Sequence, residues 1–213
     1  MIRSRFVRSS LLVFTAFVAI SCSDVTPTGP AVPATADNGL LTGLVGGLLN
    51  TVVRVIGFVS NPDGIDVTGV KWAGSHVNQV RTVSAIIGPG GGALTIPGSD
   101  FGIVFPAGAL ALSTPITIIS DGSGYVSYDM LPHGLTFAKP VVVTQRLNNT
   151  EVYGTSRAWN SFGAYFPQDL LDLSGLLKAL EIQTTTIFSG PSGRPEVETW
   201  QLRHFSRYML SSG

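Results

Sequence analysis

The chain has 213 residues, with 13 Lys and Arg balanced by 13 Asp and Glu and a single cysteine, Cys22. Charged residues make up 12% of it, about half the usual share, while 25 glycines, 13 prolines and 44% apolar residues suit a turn-rich extracytoplasmic domain. No basic field is available to recruit nucleic acid, one cysteine allows no internal disulfide, and the length suits one packed domain with some decoration.

Arg3, Arg5 and Arg8 precede the apolar run Leu11 to Ile20, and the sequence Ala19-Ile20-Ser21-Cys22 closes it. A basic start, a short apolar stretch and small residues mark residues 1–21 as a secretory signal peptide. About ten apolar residues are half of what a spanning helix requires. The segment resembles the lipobox of bacterial lipoproteins, with Ala19 where leucine is usual. The resemblance implies cleavage before Cys22 and acylation of its thiol and new amino group by palmitate-like chains. The other reading is an ordinary signal peptide with an unmodified Cys22. Two or more acyl chains would hold the protein stably on a membrane. Ser23 in place of aspartate favours the outer membrane, so the expected location is the exported bacterial cell envelope. Removal of residues 1–21 leaves ten basic and thirteen acidic side chains.

Residues 22–39, rich in Thr, Pro, Ala and Ser, read as a lipidated flexible tether, in which Ser23 to Asn38 could reach at most about 50 Å. Over residues 40–59 apolar pairs recur every four residues, from Leu40/Leu41 to Val55/Ile56, which predicts an amphipathic helix. It would lie at the membrane, clasp a partner or pack on its own sheet. A transmembrane span sits badly with Asn50, Arg54 and the four glycines of this segment. Residues 60–81 read as a turn-rich connector holding Trp72 and His76.

Residues 82–213 alternate in the manner of short strands. The expected strands are Val83–Ile87, Ala93–Ile96, Gly102–Phe105, Pro115–Ser120, Tyr125–Met130, Val141–Leu147, Glu151–Trp159, Glu181–Phe188 and Glu198–Leu210. Between them Leu170, Leu173, Leu176, Leu177 and Leu180 share a helical face, predicting a short inserted helix over Gln168–Leu180 capped by Asp169. The spacing predicts a mainly β fold, a sandwich or a barrel.

Ile87-Gly88-Pro89-Gly90-Gly91-Gly92-Ala93-Leu94-Thr95-Ile96-Pro97 runs on through Phe101 to Leu110 and Thr114 to Ile118. Leu131-Pro132-His133-Gly134-Leu135-Thr136-Phe137-Ala138-Lys139-Pro140-Val141 follows. This order resembles the ZU-five domain of zonula-occludens proteins, netrin receptors and ankyrins, over Val83 to Arg146 and again over Trp200 to Leu210. The resemblance implies an antiparallel β-sandwich that binds other proteins and turns over no external substrate. A protein or glycan partner in the envelope is expected, with no cofactor.

His204-Phe205-Ser206 resembles the cleavage motif of self-cutting ZU-five proteins. That resemblance implies Ser206 as nucleophile, His204 as base and Phe205–Ser206 as the scissile bond. In a regular strand His204 and Ser206 stand about 6.5–7 Å apart, so cleavage would need a kinked peptide at Phe205. Otherwise Trp200, Leu202, His204, Tyr208 and Leu210 form one inward face and His204 is a satisfied core residue. Asp100-Phe101-Gly102 has no kinase partner motif, and Gly90 to Gly92 lack a following Gly-Lys-Ser/Thr. His76, His133 and His204 lack metal-ligand spacing, and Asn148-Asn149-Thr150 is a sequon by spelling only. Trp72, Trp159, Phe162, Tyr165 and Phe166 are the candidates for a sugar-stacking platform, with core packing as the other reading.

Overall fold

The structure is a computed structural model that describes residues 51–74, 80–167 and 177–213. Thirteen strands follow in chain order. The first eight are β1 (Thr51–Ile56), β2 (Val59–Gly69), β3 (Val80–Ile87), β4 (Gly92–Ile96), β5 (Phe101–Phe105), β6 (Thr114–Asp121), β7 (Ser127–Leu131) and β8 (Thr136–Arg146). A 3-10 turn, Ser156–Asn160, leads into β9 (Ser161–Phe166). Then come β10 (Leu177–Ile182), β11 (Thr185–Ser189), β12 (Pro195–His204) and β13 (Arg207–Ser212).

All pairings are antiparallel and make two sheets. One has the order β1-β11-β12-β8-β5-β4, the other β2-β10-β9-β13-β7-β6-β3. The alternating residues explain the pairing, because each strand offers β-branched or aromatic side chains to one face. Ile116 and Ile118 of β6 are fully buried while Thr117 between them is not. One apolar cluster draws on both sheets: Phe101, Ile103, Phe105, Val141, Val143, Trp200 and Leu202 from the first, and Ile116, Ile118, Tyr128, Met130, Tyr208 and Leu210 from the second. The rings of Phe101 and Tyr128 meet at 4.1 Å. Tyr128 donates to Gln145 Oε1 at 2.6 Å, which satisfies its buried hydroxyl. Burial raises the pKa of that phenol well above its ordinary value.

β13 also pairs with β2 through Ser211↔Gly69 and Ser212↔Thr68. Since β2 pairs with β10, β10 with β9, and β9 with β13, these four strands form a closed ring of hydrogen-bonded neighbours. All four feed a second apolar cluster of Val67, Phe162, Ala164, Phe166, Leu177, Ala179 and Met209. Gly69 is tightly confined here: a Cβ would lie within 2.8–2.9 Å of Met209 Sδ, Leu177 Cδ1 and Tyr125 Cδ1.

Six expected strands, Val83 to Leu147, appear within a few residues of their expected bounds. Four expectations are corrected. The helix over 40–59 is overturned where it can be seen, because Thr51–Ile56 is strand and Val59 begins β2; residues 40–50 lie outside the described residues. Thr51-Val52-Val53 and Val55-Ile56 are β-branched, which favours extended backbone over helix. The connector 60–81 is mostly strand, being the body of β2 and the start of β3. The inserted helix fails over Leu177–Leu180, which belongs to β10 with Leu177 and Ala179 buried and Lys178 exposed; 168–176 lie outside the described residues. Glu151–Trp159 is turn, held by Thr155 Oγ1 donating to Val152 O at 2.6 Å and by Gly154 at φ 78°.

Candidate functional site

Glu198–Leu210 is two strands rather than one. β12 lies in the first sheet and β13 in the second, and the chain crosses between them at Phe205 and Ser206. The register of β12 on β8 shifts between Leu202 and His204, so the inward parity slips. Phe205 takes the core position, fully buried, with its ring edge-on to Phe137 at 4.9 Å and Phe105 at 5.9 Å. His204 is therefore not on the inward face with Trp200 and Leu202; its side chain keeps 26% exposure. The crossing peptide is pinned from both sides. Phe205 N–H donates to Leu135 O at 2.8 Å, Gly134 N–H donates to Phe205 O at 2.9 Å, and Met130 N–H donates to Ser206 O at 3.0 Å. Neither Phe205 nor Ser206 has a positive φ.

The His204 ring turns toward β10 and β13. Its Nε2–H donates to Glu181 Oε2 at 3.3 Å, and Gln183 Nε2 donates to the same oxygen at 2.9 Å. Tyr208 spends its one hydroxyl proton on the His204 carbonyl at 2.9 Å, which leaves Nδ1–H of His204 to donate to Tyr208 Oη at 3.2 Å. Tyr165 stands edge-on to the imidazole at 5.0 Å. Both ring nitrogens thus face acceptors, the arrangement that a charged imidazolium satisfies. The hydrogen bond to Glu181 raises the His204 pKa, against an opposing desolvation, and the same bond lowers that of Glu181. The His204 ring is thus engaged by Glu181 and Tyr208.

This cluster forms one wall of an open cleft of about 170 Å³, lined by Phe58, Glu181, Gln183, Thr184, Gln201, Arg203 and His204. Phe58 is 52% exposed at its rim, continuing a run of exposed apolar residues that includes Val52, Val55 and Val59. The cleft offers the Arg203 guanidinium, the His204–Glu181 pair, two amides and one aromatic face. Glu181→Gln is expected to lower the His204 pKa, since it removes the carboxylate that raises it and leaves the opposing desolvation, read from imidazole proton shifts by NMR across pH. The sign follows from linkage. The raised His204 contributes stability in full below 6.5 and loses it as pH rises through its folded pKa; the lowered Glu181 contributes above 4.5 and loses it as pH falls through its folded pKa. An unchanged His204 titration in the variant would show that the ion pair is not formed.

No family model matches the chain, and no curated protein does either. The remaining sequence candidates are dispersed. Of the five aromatics, Trp72, Phe162 and Phe166 are buried, Tyr165 stands against His204 and Tyr208, and Trp159 is 37% exposed. They make no common platform. Asp100, at φ 55°, holds the β4–β5 turn: its carbonyl accepts from Arg146 N–H and its carboxylate from Asn149. Gly91 approaches the backbone so closely that a Cβ would meet Phe105 O at 2.3 Å, so it packs against its own sheet. His133 Nε2 meets Asp129 Oδ1 at 2.6 Å. Among the described residues no group of three His, Cys, Asp or Glu is placed to hold a metal, and no helix is long and apolar enough to cross a membrane. Cys22 and His76 lie outside the described residues.

One residue escaped the sequence reading. Glu198 shares the inward parity of Trp200 and Leu202 and is fully buried. Ser161 Oγ lies 2.5 Å from its Oε2, while Oε1 has no partner among the described residues. Desolvation raises its pKa to about 8.

Proposed function

We propose that this chain is an exported bacterial lipoprotein, acylated at Cys22 and carried on the outer membrane. Its C-terminal part is a ZU-five-like β-sandwich that binds a protein partner of the envelope and turns over no external substrate. The apolar cluster fed by both sheets supports the sandwich. The observation that carries the binding role is the open cleft beside His204, where exposed Phe58 borders a rim of hydrogen-bonding groups fixed on paired strands. Self-cleavage at Phe205–Ser206 is disfavoured by the commitment of His204 to Glu181 and Tyr208. A glycan partner is disfavoured by the dispersal of the aromatics.

A photoreactive phenylalanine analogue at position 58 of the full chain, activated in living cells, is expected to capture one discrete envelope protein. The same analogue at Leu112, exposed on the β5–β6 connection, is expected to capture none. Adducts with lipid alone would end the binding reading. Intact mass of the detergent-extracted protein is expected to show residues 1–21 removed, acyl mass on Cys22 and an uncut Phe205–Ser206 bond. A missing Ser206–Gly213 peptide would reinstate self-cleavage.

A further inference from the structure

Among the described residues β3 is the edge strand of the seven-stranded sheet, with β4 close to it beyond the tight Gly88–Gly91 turn. Among the described residues it pairs with β6 alone, in unbroken register from Val80↔Asp121 to Ile87↔Thr114. It carries no proline, lysine or acidic residue and no bulge, the usual devices that blunt an edge. Its lone charge, Arg81, is tied to the β4–β5 turn through Gly98 O at 2.6 Å. Two large aliphatic side chains stand out on the solvent face near its ends, Val80 at 68% and Ile86 at 69% exposure. Between them on that face lie the exposed Thr82 and Ser84.

The geometry points to a second copy of this chain as the occupant of this edge, with β3 pairing antiparallel to its counterpart about a two-fold axis through Val83. In an antiparallel pair, opposed residues point to the same side. A two-fold at Val83 sets Val80 against Ile86 of the partner copy, Thr82 against Ser84, and Arg81 against the small Ala85, each pair occurring twice. Aliphatic meets aliphatic, hydroxyl meets hydroxyl, and the one long charged side chain faces the smallest residue on the strand. A shift of two residues in either direction opposes Val80 to Ser84 or Ile86 to Thr82 and loses the match. No like charges oppose each other across the strands. Asp121, one strand behind Val80, has its carboxylate engaged by Ser127 Oγ at 2.6 Å and Ser123 N–H at 3.0 Å. The seven-stranded sheet would continue across the axis into its twin. A strand pair of this length covers less than the roughly 800 Å² per partner of a standard interface. The dimer is therefore weak in dilute solution and fills when copies are concentrated.

Sedimentation equilibrium of the full chain in detergent, over a wide concentration series, tests this. The wild type is expected to dimerise reversibly. Val80→Lys with Ile86→Lys, which opposes like charges at both ends, is expected to weaken the dimer by about tenfold or more, and Val80→Lys with Ile86→Glu is expected to recover it by opposing unlike charges. Independently, a Thr82→Cys chain mixed with a Ser84→Cys chain is expected to form a disulfide between positions 82 and 84 of different copies, found by peptide mapping. A wild type that stays monomeric throughout, a dimer indifferent to the double lysine, or a charge swap as weak as the double lysine would each overturn the proposal. Should the lysine variant fail to fold, absence of the 82–84 disulfide in the mixture overturns it alone.

Discussion

Glu198→Gln is expected to stabilise the protein at pH 8 by on the order of 4 kcal/mol and to flatten its stability between about pH 4.5 and 8. The carboxyl is fully buried on β12, and desolvation raises its pKa from 4.5 to about 8. The folded chain therefore holds a proton there that the unfolded chain releases, so stability is full below 4.5, falls as pH rises through the window, and is lost above 8. Hydrogen bonding argues the same way. Ser161 Oγ sits within reach of both Glu198 Oε2 and the Ala158 carbonyl, at 2.5 and 3.1 Å, yet a hydroxyl has one proton. If Glu198 is protonated it donates to Ser161, and Ser161 donates to Ala158; both contacts are then satisfied. An ionised Glu198 leaves two acceptors competing for that proton. Glutamine reproduces the donor without the charge. Urea unfolding of wild type and variant at pH 4.5, 6 and 8 reads the effect directly. Parallel profiles for the two proteins would mean that Glu198 is solvated.

Trp200→Ala is expected to cost about 3–5 kcal/mol, the largest loss from any single truncation in the core. Its indole is fully buried and lies across the backbone of β9 at Gly163. A Cβ at 163 would fall 2.6 Å from Trp200 Cγ and Cδ2 and 2.8 Å from Cδ1, well inside contact distance. Gly163→Ala alone is accordingly expected to cost about 1–3 kcal/mol by overpacking. In the Trp200→Ala background the same change should be nearly neutral, since its obstacle is gone. A double-mutant cycle by urea unfolding measures the coupling. Additive costs would show that the indole and β9 are not in contact.

The strands from β3 to β8 were legible because their apolar residues alternate and Gly- or Pro-containing turns separate them. Residues 51–59 misled because pairs of apolar residues spaced by four satisfy a helix and a two-sided strand alike; the β-branched character of Thr51-Val52-Val53 was the better guide. Leu177–Leu180 failed similarly, through a leucine count that ignored Lys178 standing exposed between Leu177 and Ala179. The crossing at Phe205 could not be read, because a register slip on β8 changes which residue faces inward without changing the local sequence. Of the site, His204-Phe205-Ser206 stood out as a motif, but its partners did not. Glu181 is 23 residues away and reaches His204 only because β10 and β12 belong to different sheets. Glu198 was signalled by parity with Trp200 and Leu202, an acid where the pattern demands an apolar residue.

The ring β2–β10–β9–β13 closes through β13. Until Arg207–Ser212 has docked, β9 and β7 lack their shared neighbour, and Val67 and Ala164 are not sealed from water. Closure of the ring thus waits on the pairing of strands far apart in sequence, the kind of contact that forms slowly in folding.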